Sequence, residues 1–276
     1  MSSRQFRQVD VFTDTPYFGN PLAVVLGAEG VSDEQMRQFA NWTNLSETTF
    51  ALPPRADGAD YLVRIFTPSS ELPFAGHPTL GTCHAWLEAG GRPARAGQVV
   101  QECGAGLVTI RQDDAGLAFA APPLLREGPV TGEVAERVAR ALNISRADMA
   151  DIAWADNGPG WVAVLLDSAD AVLALRPGTV STDIGVAGLY PPGSPEALEV
   201  RAFSGQVSTV EDPVTGSLNA SLAQWLLGTG RLKAPYVASQ GTAMGRRGRV
   251  RISRDDSGQV WVGGSVVTCV SGTVAI

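Results

Sequence analysis

The sequence predicts an α+β protein made of two similar halves. Segments with strand character outnumber helical ones, a Glu-x-Pro-x-x-Gly motif occurs twice, and the two copies stand 140 residues apart in a chain of 276. At that offset Glu71-Leu72-Pro73-Phe74-Ala75-Gly76 falls on Glu211-Asp212-Pro213-Val214-Thr215-Gly216. Ala23-Val24-Val25-Leu26 likewise falls on Ala163-Val164-Leu165-Leu166, and Leu87 and Gly90 fall on Leu227 and Gly230. The common register points to duplication, although alanine- and glycine-rich segments also coincide by chance. Two lobes of that kind would leave a cleft for a small molecule.

The elements follow in chain order. Residues 6–12 and Tyr61–Phe66 are rich in β-branched and aromatic side chains and read as strands. Ser32 followed by Asp33 and Glu34 starts a helix that should run to about Ala40. Gly76-His77-Pro78 opens a second helix, with Pro78 at a position where a missing N–H costs nothing, and Gly90-Gly91 stops it. The lobes should divide near Ala121-Pro122-Pro123, giving a first lobe of 1–121 and a second of 122–267. Within the second, 133–142 reads as an amphipathic helix, and 161–166 and Leu198–Phe203 read as strands. The segment 217–227 is the counterpart of the Gly76 helix, and 249–252, 259–262 and 266–270 read as antiparallel strands.

Composition narrows the function. With 21 Lys+Arg against 28 Asp+Glu the net charge is −7, without the basic surplus that a phosphate backbone attracts, so no nucleic-acid partner is expected. No stretch approaches the roughly 20 consecutive apolar residues that cross a bilayer. No apolar run follows Arg4 and Arg7, so no secretory signal and no membrane partner are expected, and the expected location is cytoplasmic. Cys83, Cys103 and Cys269 are too scattered for a disulfide framework or a metal knuckle. His77 and His84 lie seven positions apart, roughly 10.5 Å along a helix, too far to share one metal ion. His84 falls among apolar positions and reads as a packing residue. Nucleotide and dinucleotide loops and the nucleophile elbow are missing, so no metal and no cofactor are expected and acid–base chemistry is what the inventory leaves.

Two features could carry it. Both copies of the repeated motif end in a glycine directly before a helix, where unpartnered N–H groups and the helix dipole can hold a small anion. Ordinary glycine-entered helices would look the same. Glu47, in Asn44-Leu45-Ser46-Glu47-Thr48-Thr49-Phe50, stands ahead of an apolar run, where partial desolvation would raise its pKa toward the range useful for proton transfer. On this segment alone a surface glutamate on an edge strand fits at least as well.

Four motifs in order, Phe18-Gly19-Asn20-Pro21, the Glu47 segment, the segment from Glu71 to Gly81 and the segment from Glu211 to Ser217, closely resemble the PhzF-like phenazine-biosynthesis isomerases. Val262-Gly263-Gly264 also fits that family's pattern, so the resemblance covers nearly the whole chain. It implies the diaminopimelate epimerase-like fold: two pseudo-symmetric lobes, each a curved, mostly antiparallel sheet wrapped around a central helix, with the active site between them. It also implies a homodimer, and a last strand, about 268–276, that returns to the first lobe. The implied activity is a cofactor-independent isomerisation that moves a proton on a small, conjugated carboxylate of the dihydro-hydroxyanthranilate type. Glu47, His77 and Asp212 match the catalytic positions, and Asn20, Gly76, Gly216 and Ser217 match the substrate contacts. An amino-acid epimerase or racemase, or a carboxylate-binding protein without turnover, would share this cleft. The related epimerases carry cysteines at both helix mouths, where this chain has Gly76-His77 and Gly216-Ser217, which disfavours a two-thiol mechanism.

Overall fold

A computed structural model of the chain describes residues 2–205 and 211–276. The chain forms two compact units: Met1–Ala120 together with Gly263–Ile276, and Ala121–Val262. The first contains β1 (Ser3–Val11), β2 (Asn20–Leu26), α1 (Asp33–Thr43), β3 (Glu47–Leu52), β4 (Tyr61–Phe66), β5 (Glu71–Leu72), α2 (Gly76–Glu88), β6 (Gln98–Cys103), β7 (Gly106–Asp113) and β8 (Gly116–Ala120). The second contains β9 (Arg126–Pro129), α3 (Gly132–Leu142), β10 (Met149–Asp156), β11 (Val162–Leu166), α4 (Ala169–Ala174), β12 (Ile184–Leu189), β13 (Leu198–Phe203), β14 (Glu211–Asp212), α5 (Gly216–Gly228), β15 (Tyr236–Gln240) and β16 (Gly248–Arg254). β17 (Val260–Gly264) leads back, and β18 (Val266–Ala275) belongs to the first unit, where it pairs with β1 from Val11 to Ser3. The chain re-enters the first unit at Gly263, ahead of the expected residue 268.

The two units repeat one topology. In the first, β1 pairs antiparallel with β2, β2 parallel with β3, β3 antiparallel with β4, and β4 antiparallel with β5 and parallel with β6. In the second, β10, β11, β12, β13, β14 and β15 are joined by the same sequence of orientations. The sheets are mostly antiparallel, as expected, with the parallel pairs β2–β3, β4–β6, β11–β12 and β13–β15 among them. The offset of 140 does not hold throughout. Phe66 pairs with Glu71 and Phe203 with Glu211, so the strands β4 and β13 are related by 203 − 66 = 137, and the second connection is three residues longer.

Burial explains why α2 and α5 read weakly as amphipathic helices. Every residue from Gly76 to Cys83 is buried, and α5 buries Gly216, Leu218, Asn219, Ala220, Ser221, Leu222 and Ala223. A helix enclosed on all sides has no solvent face to pattern. Glycine permits the close contact from either side: a Cβ on Gly81 of α2 would stand 2.6 Å from Leu22 Cδ2, and one on Gly185 of β12 would stand 2.0 Å from Leu218 Cδ1 of α5. The outer helices pack separate cores. α1 covers Val25, Phe50 and Phe66 through Met36 and Ala40, and α3 covers Val162, Val164 and Phe203 through Val138 and Leu142.

Element ends follow local backbone chemistry. β1 stops at Val11 and not at Phe12, because Phe12 turns to φ 66°, outside the strand region. α1 continues past Ala40 to Thr43 and ends at Asn44, whose φ of 53° makes a left-handed cap. The glutamate of each repeated motif is structural. Arg64 holds Glu71 through two hydrogen bonds of 2.7 Å, and Arg201 holds Glu211 at 2.9 and 2.7 Å, so each short strand is clamped to its neighbour. Arg201 also donates to the carbonyls of Val172 and Leu175 near the end of α4.

These pairs differ in burial, with side-chain exposures of 21% and 36% in the first unit and 6% and 15% in the second. Arg64→Met should therefore cost about 1 kcal/mol or less. Arg201→Met, which strands a buried carboxylate, should cost about 3–5 kcal/mol in chemical denaturation.

Candidate active site

In the first unit, three elements bring Glu47, His77 and Asn20 together. Glu47 opens β3 beside Leu22 of β2, three residues beyond Asn44, the left-handed cap of α1. His77 is the second residue of α2, and Asn20 is the first of β2. His77 Nε2 lies 3.2 Å from Glu47 Oε2, with side-chain exposures of 5% and 15%. The two atoms approach without the alignment of a full hydrogen bond. On the far side of the ring, Asn20 Nδ2 is 3.4 Å from His77 Nδ1. Asn20 is wholly buried, so its amide faces the imidazole and not open solvent.

Burial holds the His77 imidazole well below its ordinary pKa of 6.5, because a cation there would lose its hydration. The ring is therefore neutral at neutral pH, and its contact with Glu47 is a polar one and not an ion pair. His84, two helical turns further along, bonds Thr268 Oγ1 through Nε2 at 3.1 Å and is half-buried, a packing role. Cys83 is fully buried and burial pushes its thiol up to about 12, which keeps it protonated and unreactive.

In the second unit the corresponding motif builds a denser network. Thr215 Oγ1 donates to Asp212 Oδ2 at 2.5 Å, and Gln240 Nε2 donates to the Asp212 carbonyl at 3.1 Å. Gln240 Oε1 accepts from the Thr215 N–H at 3.0 Å and from Asn219 Nδ2 at 2.8 Å. Gly216 is buried at the mouth of α5; Ser217 Oγ is half-buried and accepts from Trp161 Nε1 at 3.2 Å. Trp161, Asn219 and Gln240 carry no motif and were not legible in the sequence, since their partners lie 21 to 56 positions away.

The helix ends separate into two kinds. Ser32, Thr131 and Ser168 cap α1, α3 and α4 with their side chains. α2 and α5, at Gly76 and Gly216, receive no side-chain cap and have no acidic residue in the first turn. Their N-terminal N–H groups thus keep the capacity for an external acceptor. The register adds an acid that the sequence did not single out. Thr48 pairs with Phe66 as Ile184 pairs with Phe203, so Asp183 precedes β12 where Glu47 opens β3. Asp183 is buried and accepts from Ser204 Oγ at 2.6 Å. Among the described residues no group of three or more His, Cys, Asp or Glu is placed to hold a metal ion, and no helix is long and apolar enough to cross a membrane.

A lowered His77 pKa fixes a sign. Below about pH 6.5 the unfolded chain takes up a proton that the folded chain refuses, so acid removes stability. The stability difference between the wild type and His77→Asn should shrink from about pH 7.5 to about pH 5 in urea denaturation. A difference that stays constant would mean that the ring is accessible and titrates normally.

The chain is similar over its whole length to proteins of one family. Residues 9–272 match the PhzC-PhzF family, described as phenazine biosynthesis-like protein. The chain is 36% identical over 296 residues to antisense-enhancing sequence 1 of Schizosaccharomyces pombe, covering 99% of each. It is 34% identical over 279 residues to the trans-2,3-dihydro-3-hydroxyanthranilate isomerase of Pseudomonas fluorescens, covering 97% of this chain and 98% of that one. A crystal structure of the Bacillus anthracis phenazine biosynthesis protein of the PhzF family superposes with a TM-score of 0.85 at 24% identity, over 100% of both chains. The fold is of the diaminopimelate epimerase-like α+β class, and the chain belongs to the PhzF family of isomerases.

Proposed function

We propose that the chain moves a proton within a small conjugated carboxylate of the dihydro-hydroxyanthranilate type, with Glu47 as the proton carrier. The observation that carries this reading is the approach of Glu47 Oε2 to 3.2 Å from His77 Nε2, in a setting where the ring stays neutral. The Glu47 carboxylate takes a proton from a saturated ring carbon, leaving the electron pair to spread through the conjugated system. The resulting carboxylic acid then returns that proton to another carbon of the same system, so the product is an isomer and no oxidant or reductant is needed. His77, uncharged, donates or accepts a hydrogen bond without competing for the proton. The substrate class is supported by the Pseudomonas fluorescens relative, whose name states the dihydro-hydroxyanthranilate. The uncapped mouths of α2 and α5 support a carboxylate among its polar groups. Asp212 is assigned, with His77, to orienting the substrate's polar groups and stabilising the shifting charge, and Ser217 to binding the carboxylate; both assignments rest on the resemblance of their motif to the family.

The test is turnover of trans-2,3-dihydro-3-hydroxyanthranilate in deuterated water. The wild type should isomerise it, and Glu47→Gln should lower kcat by about 10²–10⁴-fold. Full turnover by that variant would remove Glu47 from the chemistry. Ser217→Ala should raise KM several-fold and leave kcat within about threefold, as expected for a residue whose contact is equally strong in the ground and transition states.

A further inference from the structure

Asp10 is a buried acid that the proton transfer does not use. It lies on β1 between Pro21 of β2 and Val267 of β18, and only 2% of its surface is exposed. A carboxylate in such a place is costly unless hydrogen bonds compensate it. Asp10 Oδ2 accepts from the backbone N–H of Gly19 at 2.9 Å, a charge-assisted bond across the base of the loop 12–19.

That loop is under local strain. Phe12 at φ 66° and Tyr17 at φ 75° occupy the left-handed region without being glycine or asparagine. Gly19 cannot be replaced without moving backbone, because a Cβ there would stand 2.2 Å from the Val11 carbonyl oxygen. A strained loop persists where its surroundings fix it, and the bond from Gly19 to Asp10 does so at the residue next to Asn20. As its amide is oriented, Asn20 presents Nδ2, a donor, to His77 Nδ1, which makes Nδ1 the acceptor. A neutral ring that accepts at Nδ1 carries its proton on Nε2, the atom 3.2 Å from Glu47 Oε2. The opposite tautomer would set a ring lone pair against a carboxylate lone pair.

We propose that Asp10 is a positioning residue: through the Gly19 N–H and Asn20 it holds His77 in the Nε2–H tautomer that faces Glu47. This rests on Glu47 as the proton carrier, but its first readout needs no substrate. The chain has two histidines, His77 and His84, so a long-range ¹H–¹⁵N correlation spectrum of the labelled protein resolves each ring, and His84→Gln assigns them. In the wild type at neutral pH, His77 should show the Nε2–H pattern alone. Asp10→Ala should give a mixture of tautomers and lower kcat on trans-2,3-dihydro-3-hydroxyanthranilate by about 10- to 100-fold with KM within about twofold. Asp10→Asn, which keeps an acceptor oxygen for Gly19, should restore the single tautomer and most of kcat. A wild-type ring protonated on Nδ1, or an Asp10→Ala spectrum equal to the wild type, overturns the proposal. If Asp10→Ala does not fold by circular dichroism, Asn20→Leu is read instead: a mixture supports the relay, and an unchanged tautomer overturns it. Absence of wild-type turnover would count against the substrate alone and leave the spectral result decisive for Asp10.

Discussion

An imidazole can stay in a protein interior only if it is uncharged and its two ring nitrogens meet polar groups of the right kind. His77 satisfies both conditions, with Asn20 on one side and Glu47 on the other. The rest of the first unit is arranged to meet this constraint. Gly76 lets the mouth of α2 lie buried, β2 begins at Asn20, and β3 begins at Glu47, so three element ends converge on one ring. Glu47 in turn gains a neighbour that cannot neutralise it by taking a full positive charge.

The second unit shows what the same backbone plan becomes when the ring is absent. Ser217 occupies the place of His77 in the motif, and the polar demand at the helix mouth is met by Thr215, Gln240 and Asn219. The clamp beneath the helix is kept in both units, as Arg64 with Glu71 and as Arg201 with Glu211. The repeated glutamate thus marks architecture, and the chemistry differs in the residues that follow the glycine. Family membership and the isomerase activity that goes with it rest on the whole-chain matches.

Much of this was legible in the sequence where the cause is local. Tyr61–Phe66 and Leu198–Phe203 are strands because β-branched and aromatic residues crowd a pleated surface, and the sequence shows that directly. The entries to α2 and α5 are written by Gly76 and Gly216 with the prolines of their motifs. Glu47 was singled out by the resemblance of its motif to a known family, since its segment alone read as well as a surface strand. What was not legible depends on distant partners. β5 and β14 are two residues each and exist because Phe66 and Phe203 pair with them. The contact of Asn20 with His77 spans 57 positions, and the burial of Asp10 arises only once β18 lies beside β1. A conserved spacing cannot reveal a partner that the fold supplies from elsewhere.

The return of the chain to its starting unit bears on how the molecule is made. β18 completes the flank of β1, yet all of Ala121–Val262 is synthesised between the two strands. A nascent chain therefore carries β1 with one edge unsatisfied while the later-encoded unit already has every strand of its own ladder at hand. Exposed strand edges invite pairing with other chains. The first unit, which holds the acid and the imidazole, therefore cannot complete its sheet until the final strand has been made.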